Sequence, residues 1–269
     1  MAGSFPRSRA RRTAGPGCAE GGFAEASAAS VDPSEVAKFA ALAEAWWDEA
    51  GDFAPLHKLN PTRIGFVRDR VAGRLGRDPL GPRPLAGLTL LDVGCGGGLL
   101  AEPMARLGAA VTAIDAAPRN IAVARLHAEQ SGLAIDYRVA AAETLAAAGA
   151  RFDVVLAMEV IEHVADRAAF LAACCAVLAP GGTMFLATLN RTLKAFALAV
   201  VGAEYLLRWL PRGSHDWRRF VRPSELAAGL RPHGVEIVEI AGVAYSPLTD
   251  RWRLTRDLDI NYMAMAERR

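Results

Sequence analysis

Three side chains capable of acid–base or metal chemistry stand close together in the middle of the chain: Glu159, Glu162 and His163. They follow Val154 to Ala157, a run short and apolar enough to be a buried strand. If a helix begins there, residues at i, i+3 and i+4 share one face, so the three side chains converge. Two carboxylates and an imidazole can hold Mg²⁺ or Zn²⁺, and the histidine is also a candidate general base.

A second set of candidate residues surrounds a glycine-rich turn. An apolar run, Leu88 to Val93, leads into Asp92-x-Gly94-x-Gly96-x-Gly98, and a helical pattern follows. A second apolar run, Ala110 to Ile114, ends on Asp115. Glycine lets a ligand approach the backbone closely, and an acid about 20 residues further on can accept ribose hydroxyls. This order predicts half of a nucleotide-binding βαβ unit.

The glycine spacing distinguishes between two classes of nucleotide ligand. Counted from Gly94, the dinucleotide fingerprint requires glycine at the sixth position, where this chain has Leu99. The pattern of Asp92, Gly94 and Gly96 instead resembles motif I of the Rossmann-like class I methyltransferases. That resemblance implies S-adenosylmethionine as cofactor, with the turn on its amino-acid end and Asp115 on the ribose.

The same resemblance assigns the adenosine contacts. It implies that Met158, after the strand that precedes Glu159, packs on the adenosine. It also places adenine contacts directly after the strand Ile135 to Val139, and the sequence leaves open whether Ala142 or Glu143 makes them.

The elements that must position these residues predict an α/β fold. We expect a seven-stranded, mostly parallel sheet with an antiparallel last strand and helices on both faces, in a methyltransferase domain at 85–269. An N-terminal helical cap, 31–84, precedes it, with one helix starting at Asp32-Pro33-Ser34 and a second running from Arg63 through Arg70 and Arg74. Residues 1–30 are rich in Ala, Gly, Arg and Ser and predict a disordered tail.

Several longer segments resemble one family, the ubiquinone-biosynthesis O-methyltransferases. These segments are WWDEAGDFAPLHKLNPTR, ATLNRT and HDWRRFVRPSEL, and the resemblance covers Val31 to Glu267. It implies O-methylation of polyprenylated catechols and demethylubiquinol, at both O-methylation steps. It also implies that Arg63 contacts the cofactor, where a guanidinium can pair with the methionyl carboxylate.

The resemblance leaves the metal and the base open. Eukaryotic members are thought to carry a metal at the position of Glu159, Glu162 and His163, whereas the same motif is structural in many metal-free methyltransferases. A phenol needs help to ionise, because its ordinary pKa is about 10. His163 and the two glutamates are candidates, and His215 is a second candidate base.

Residues 189–225 form an insert between the fifth predicted strand and the last two strands. Leu193 to Leu210 has a helical, largely apolar composition, and Arg212, Arg218, Arg219 and Arg222 follow among tryptophans. Apolar helix, arginines and tryptophans together are typical of a segment that lies on a membrane surface. The alternative is a lid helix packed on the domain. Similarly, Trp46 and Trp47 are either core residues or part of the acceptor pocket.

Composition limits the kinds of partner and the cellular location that the sequence predicts. A net charge of +2 is too small to predict a nucleic-acid partner, and the four cysteines include no CxxC pair, which favours reduced thiols. The sequence contains no run of about 20 uncharged apolar residues, so it predicts no membrane-spanning helix. We therefore expect a cytoplasmic protein on the inner membrane, or on the matrix side in mitochondria if the Arg-rich tail is a transit peptide.

Two alternative functions stay open at this point. One is methylation of a small soluble phenol, which would not need an apolar insert. The other is a non-catalytic, cofactor-binding scaffold that contacts other quinone-biosynthesis enzymes, since a glycine turn with an acid argues only for cofactor binding.

Overall fold

The computed structural model describes residues 29–197, 216–246 and 249–268. In these ranges an eight-stranded sheet has the order β3-β2-β1-β4-β5-β8-β6-β7. Its strands are β1 (Thr89–Val93), β2 (Ala110–Asp115), β3 (Asp136–Val139), β4 (Phe152–Met158), β5 (Leu178–Leu189), β6 (Val235–Ser246), β7 (Arg251–Thr255) and β8 (Asn261–Arg268). Strands β1 to β5 are parallel, and β8 runs antiparallel between β5 and β6.

The predicted α/β class and the antiparallel last strand are confirmed, but the count of seven strands is wrong. β6 is twelve residues long, and its second half pairs with an additional edge strand, β7, in a hairpin. The sequence of β7 alternates: Arg251 and Arg253 are exposed, whereas Trp252 between them packs against the core. This period-two pattern is the signal for a half-buried strand.

Helices cover both faces of the sheet. They are α1 (Pro33–Ala41), α2 (Ala54–Arg74), α3 (Ala101–Arg106), α4 (Pro118–Gln130), α5 (Ala142–Ala147), α6 (Arg167–Val177), α7 (Leu193–Ala195) and α8 (Pro223–Leu230), with 3₁₀ turns at Ala43–Ala45, Trp217–Arg219 and Arg231–His233. One core cluster joins α2, α3 and α4 to the sheet, and a second joins α5, α6 and α8 to the opposite face. Both faces are therefore covered, as parallel strands require.

The N-terminal helices begin as follows. Helix α1 starts at Pro33 with Asp32 as its N-cap, as predicted, because the Asp32 side chain accepts from the Ser34 N–H. The second helix starts nine residues earlier than expected, at Ala54, so the prediction that it begins at Arg63 is wrong. Pro61 lies inside α2, and Arg63 is buried in the middle of the helix.

Some predictions fall on residues outside the described ranges. These are almost all of the tail at 1–30 and, within the insert at 189–225, residues 198–215, which include Arg212 and His215. Within the described ranges, no helix is long and apolar enough to cross a membrane. The domain boundaries at residues 30 and 84 stay predictions.

Candidate active site

The glycine turn is built by the backbone of two neighbouring strands. After β1, the N–H groups of Gly94 and Cys95 both donate to the carbonyl oxygen of Ile114, at 2.8 and 3.0 Å. Gly96 has a φ of +53°, a backbone conformation that side-chain-bearing residues rarely adopt. Its N–H donates to Asp115 Oδ2 at 3.0 Å. The turn and the distal acid are therefore one hydrogen-bonded unit.

Asp115 is held on three sides. Besides Gly96, its carboxylate accepts from the Ala117 N–H at 2.8 Å and from Asn120 Nδ2 at 3.1 Å. Burial raises the pKa of Asp115 above its ordinary value, while these hydrogen bonds oppose that rise. Each carboxylate oxygen has further acceptor capacity, so the side chain can also receive ribose hydroxyls.

Arg63 reaches the same site from helix α2. It is 4% exposed, and its guanidinium donates to Asn60 Oδ1 at 3.2 Å. Asn60 in turn donates to the carbonyl of Leu99 at 2.7 Å, which fixes α2 to the segment after the glycine turn. Burial lowers the pKa of Arg63, and the carboxylates of Glu159 and Asp92 partly restore it.

Asp92 lies at the end of β1, opposite Arg63, and is 2% exposed. Burial raises the pKa of Asp92 to about 7, although the charge of Arg63 acts in the opposite direction. Among the described residues, Asp92 Oδ2 and Arg63 Nε are both buried without a hydrogen-bond partner. Two orphaned groups of opposite charge in one place point to a ligand that carries both a cation and an anion.

One cavity of about 300 Å³ joins these groups. It is lined by all ten described residues that the sequence predicts for the site: Arg63, Asp92, Gly94, Gly96, Asp115, Ala142, Met158, Glu159, Glu162 and His163. It opens at the carboxyl ends of β1, β2 and β4, the edge where open α/β sheets bind ligands. The structure thus brings the predicted residues together, while their individual roles stay predictions.

The segment after β4 is a turn and not a helix, so the predicted convergence of three side chains on one helix face is wrong. Glu159 has a φ of +58°, and its N–H donates to the Ala187 carbonyl at 2.9 Å. Glu162 accepts from the Thr188 hydroxyl at 2.8 Å, whereas His163 Nδ1 lies 2.8 Å from Glu35 Oε2 on α1. The imidazole is thereby directed to the N-terminal helix.

These donors do not fit a bound metal. Within the described ranges, no group of three or more His, Cys, Asp or Glu side chains could hold a metal ion. Glu159 and Glu162 do lie together, and burial, followed by the Glu162 carboxylate, raises the pKa of Glu159. The reaction proposed below therefore assigns no role to Mg²⁺ or Zn²⁺.

Two tryptophans cover the glycine turn. A Cβ built on Gly96 would lie 2.4 Å from Trp46 Cζ2, so the indole rests directly on the turn backbone. Trp46 stacks on Phe53 with ring centroids 3.8 Å apart and donates to Asn120 Oδ1 at 3.0 Å. Trp47 donates to the Gly97 carbonyl at 2.9 Å. Trp46 therefore lies at the cofactor end of the cavity, and Trp47 contacts the turn beside it.

The sequence did not identify three polar residues that the site uses. Asn60 positions Arg63, Asn120 links Trp46 to Asp115, and Glu35 contacts His163. Asn60 had a signal, since it stands three residues before Arg63 in the quoted family segment. Glu35 had none, because His163 is 128 residues away. Asn120 is five residues from Asp115, but its other partner, Trp46, is 74 residues away.

Comparison with known proteins agrees with this geometry. A methyltransferase-domain family matches residues 91–186. Two relatives are named ubiquinone biosynthesis O-methyltransferase. One, from Parvibaculum lavamentivorans, is 58% identical over 91% of this chain and 96% of its own. The other, from a Methylobacterium species, is 56% identical over 89% and 96%.

Solved structures are similar at the level of the fold. N-methyltransferase NodS from Bradyrhizobium japonicum, in complex with S-adenosyl-L-homocysteine, has a TM-score of 0.55 and 16% identity, over 87% of this chain and 97% of its own. A structure titled for the conversion of a disulfide bond into a thioacetal group during echinomycin biosynthesis has a TM-score of 0.54 and 25% identity, over 75% and 81%.

The strand order, the glycine turn bonded to Asp115 and the cavity at the sheet edge define a class I S-adenosylmethionine-dependent methyltransferase. S-adenosylmethionine is the cofactor that this class uses, and the orphaned charges of Arg63 and Asp92 suit its methionyl carboxylate and ammonium. Within this class, the chain belongs to the ubiquinone biosynthesis O-methyltransferase family.

Proposed function

We propose that this chain transfers a methyl group to the phenolic oxygen of polyprenylated catechol and demethylubiquinol intermediates. Its family membership makes it an O-methyltransferase of ubiquinone biosynthesis acting on a prenylated phenol. The observation that carries the proposal is the single cavity in which the cofactor-turn residues and an imidazole both lie. Both O-methylation steps of the pathway need the same chemistry, so one such site serves both.

When bound, S-adenosylmethionine supplies an electrophilic methyl group on its sulfonium. The chain supplies position: Arg63 and Asp92 hold the charged amino-acid end, and Asp115 holds the ribose. Ala142 and Met158, buried on the cavity wall, contact the adenosine. Alignment of a nucleophile and an electrophile with exclusion of water provides a large share of the rate enhancement in such transfers.

The acceptor phenol has to lose its proton as the new O–CH₃ bond forms. We assign that proton to His163. Because Glu35 Oε2 lies 2.8 Å from Nδ1, the other ring nitrogen, Nε2, is the one that receives the proton. Glu159 and Glu162 line the same cavity, and a bound sulfonium favours the carboxylate form of Glu159, whose pKa burial raises in the free protein. His215 lies outside the described ranges and remains an alternative base.

Membrane contact is the second part of the proposal. Leu193 and Phe196, at the start of the insert, are 80% and 43% exposed, and Arg218 and Arg222 nearby are exposed. Arg219 differs, because its guanidinium contacts Asp32, so it does not belong to a membrane-facing set. This surface suits an anionic membrane in which the prenyl tail of the substrate is dissolved. Contacts with other quinone-biosynthesis enzymes remain part of the proposal.

A methyl-transfer assay on a short-chain catechol, run with and without a chelator, tests the reaction. We expect turnover in both conditions, and a strong loss in His163→Asn at neutral pH that becomes smaller at high pH. Absence of turnover by the wild type would favour a cofactor-binding scaffold. If the chelator abolishes turnover, the enzyme needs a metal ion, and Glu159, Glu162 and His163 are then its ligands.

Vesicle co-sedimentation tests the membrane part. The Arg218→Ala/Arg222→Ala double variant should bind anionic vesicles more weakly, by about 1 kcal/mol per arginine, and keep its activity on the short catechol. If the double variant binds vesicles at low salt as strongly as the wild type does, the insert is a lid on the domain and not a membrane contact. Equal turnover of soluble and prenylated phenols without vesicles would favour a small soluble substrate.

A further inference from the structure

The outer wall of the cofactor cavity, residues 29–53, is not held in place by burial alone. Val36 and Phe39 on α1 line the cavity. None of the nine residues of α1, all of them in the described part of the chain, is buried. A helix with no buried residue contributes little hydrophobic stabilisation of its own position, so specific contacts must fix it.

The strongest cluster of such contacts converges on one arginine. Arg219 Nη2 donates to Asp32 Oδ2 at 2.9 Å and to the Val164 carbonyl at 3.0 Å. Its Nη1 lies 3.6 Å from Glu35 Oε1. The side chain of Arg219 is 28% exposed, and those of Asp32 and Glu35 are 21% and 19% exposed. One guanidinium therefore joins the first turn of α1 to the turn after β4.

Arg219 is itself fixed to the sheet. Its carbonyl accepts from the guanidinium of Arg167 on α6. Two residues earlier, Trp217 donates to the Thr192 carbonyl at 2.9 Å, and two residues later the Val221 N–H donates to the Leu189 carbonyl at 3.0 Å. The arginine is thus presented by a segment anchored at the end of β5. Its partners Asp32 and Glu35 belong to the wall, and Val164 belongs to the turn after β4.

We propose that Arg219 is a positioning residue for cofactor binding: it holds α1 closed over the cavity, and its loss speeds cofactor exchange. It acts through Asp32, Glu35 and the Val164 carbonyl, and it does not touch the cofactor. The proposal goes beyond the assigned reaction and is independent of which phenol accepts the methyl group. It also takes Arg219 out of the membrane-facing arginines that the sequence predicted.

The test measures the dissociation rate of S-adenosylhomocysteine from the full chain by stopped-flow displacement, followed by tryptophan fluorescence. Arg219→Ala should dissociate about three- to tenfold faster than the wild type, the range expected for a partly exposed ion pair with one added hydrogen bond. The KM for S-adenosylmethionine should rise while kcat at saturation is maintained or rises. Salt screens exposed ion pairs, so the wild-type rate should rise with NaCl and the rate of the variant should not.

Two further variants keep the test decisive. Asp32→Asn preserves the oxygen that caps α1 through Ser34 but removes the charge that faces Arg219. It should reproduce the faster, salt-insensitive dissociation even if Arg219→Ala folds poorly. Arg219→Lys should recover part of the slow dissociation, because it keeps one donor and the charge.

Arg231→Ala, which removes an exposed arginine on the 3₁₀ turn after α8, is the charge-matched control and should behave as the wild type. The proposal is overturned if Asp32→Asn keeps the wild-type dissociation rate and its salt dependence. It is also overturned if Arg231→Ala speeds dissociation as much as Arg219→Ala does.

Discussion

The glycine turn and the outer wall hold the cofactor cavity from opposite sides by different means. The turn is held by backbone groups: Gly94 and Cys95 donate to Ile114, and Gly96 donates to Asp115. The wall is held mainly by side chains, Arg219 at one end and two indoles at the other, with one backbone hydrogen bond from the Ala165 N–H to the Ser30 carbonyl. Backbone hydrogen bonds in a sheet open with difficulty, whereas partly exposed side-chain contacts open readily.

This difference assigns two tasks to two regions. The turn presents preformed donors and acceptors, so its residues should determine affinity. The wall closes over a site that already exists, so its residues should determine exchange rates. Substitutions in the turn and in the wall should therefore differ in which quantity they change.

The largest effect on cofactor affinity that we expect from either region is that of Asp115→Ala, in the turn. It removes charge-assisted hydrogen bonds worth about 1.5–3 kcal/mol each, both to the ribose and to the turn. Loss of two of them lowers the affinity for S-adenosylmethionine by about 10²- to 10⁴-fold. Calorimetry measures this, with Asp136→Ala, an exposed acid on β3, as the control. Unchanged affinity in Asp115→Ala would refute the ribose assignment.

Arg63 tests where the boundary between the two regions lies. It belongs to the N-terminal helices but is buried beside Asp92, so we expect it to behave as part of the turn. Arg63→Ala should raise the KM for the cofactor about 10- to 100-fold, and Arg63→Lys should recover part of the loss. Steady-state kinetics measure this, with Arg68→Ala on the same helix as control. Wild-type kinetics in Arg63→Ala and Arg63→Lys would place Arg63 outside the cofactor site.

A pair of glycines separates backbone strain from contact with the wall. Gly96 and Gly132 have similar φ values of +53° and +65°, so alanine at either position costs about 1–2 kcal/mol of stability. At Gly132 a Cβ meets nothing within 4 Å, whereas at Gly96 it meets Trp46. Denaturant unfolding should show a loss in both variants. Cofactor affinity should fall, about tenfold, in Gly96→Ala alone; equal affinities would mean that Trp46 moves without cost.

The sequence predicted the sheet side of the site better than the wall. The glycine turn, Asp92 and Asp115 are local: strand, turn and acid lie within 28 residues and repeat a known geometry. The contacts of the wall are not local. Asp32 contacts Arg219, and Trp46 contacts Asn120, across long separations in sequence. No local pattern of residues predicts such pairs.

The errors in the prediction have physical causes of the same kind. The predicted convergence of Glu159, Glu162 and His163 assumes a helix after β4, but Glu159 adopts a left-handed conformation that the residue spacing does not reveal. The extra strand β7 is short and lies at the edge of the sheet, so its brief alternation of exposed and packed residues is a weak signal compared with its pairing with β6. Both features depend on tertiary contacts and not on local preference.

The smallest effect we expect concerns Asp92, which belongs to the turn but responds to charge in the cavity. Burial raises the pKa of Asp92 to about 7, well above its ordinary value, so near pH 6 the free protein holds a proton there. A positively charged ligand in the same cavity favours the carboxylate and lowers that pKa. Cofactor binding at pH 6 should therefore release up to about one proton, and binding at pH 8.5 almost none.

Calorimetry in two buffers of different ionisation enthalpy measures the proton release, and Asp92→Asn should reduce it at pH 6. Any release that remains comes from Glu159, whose pKa is also raised in this cavity. The stability of the ligand-free protein gives an independent check of sign. Because the folded state binds more protons than the unfolded state between about pH 4 and 7, the free energy of unfolding should fall as pH rises through that window. Asp92→Asn should make this fall smaller and be more stable than the wild type at pH 8, while it binds the cofactor more weakly. The raised pKa values of Asp115 and Glu159 account for the fall that remains. If the wild type instead gains stability between pH 4 and 7 relative to Asp92→Asn, Asp92 is ionised in the free protein, and the turn carries a permanent negative charge.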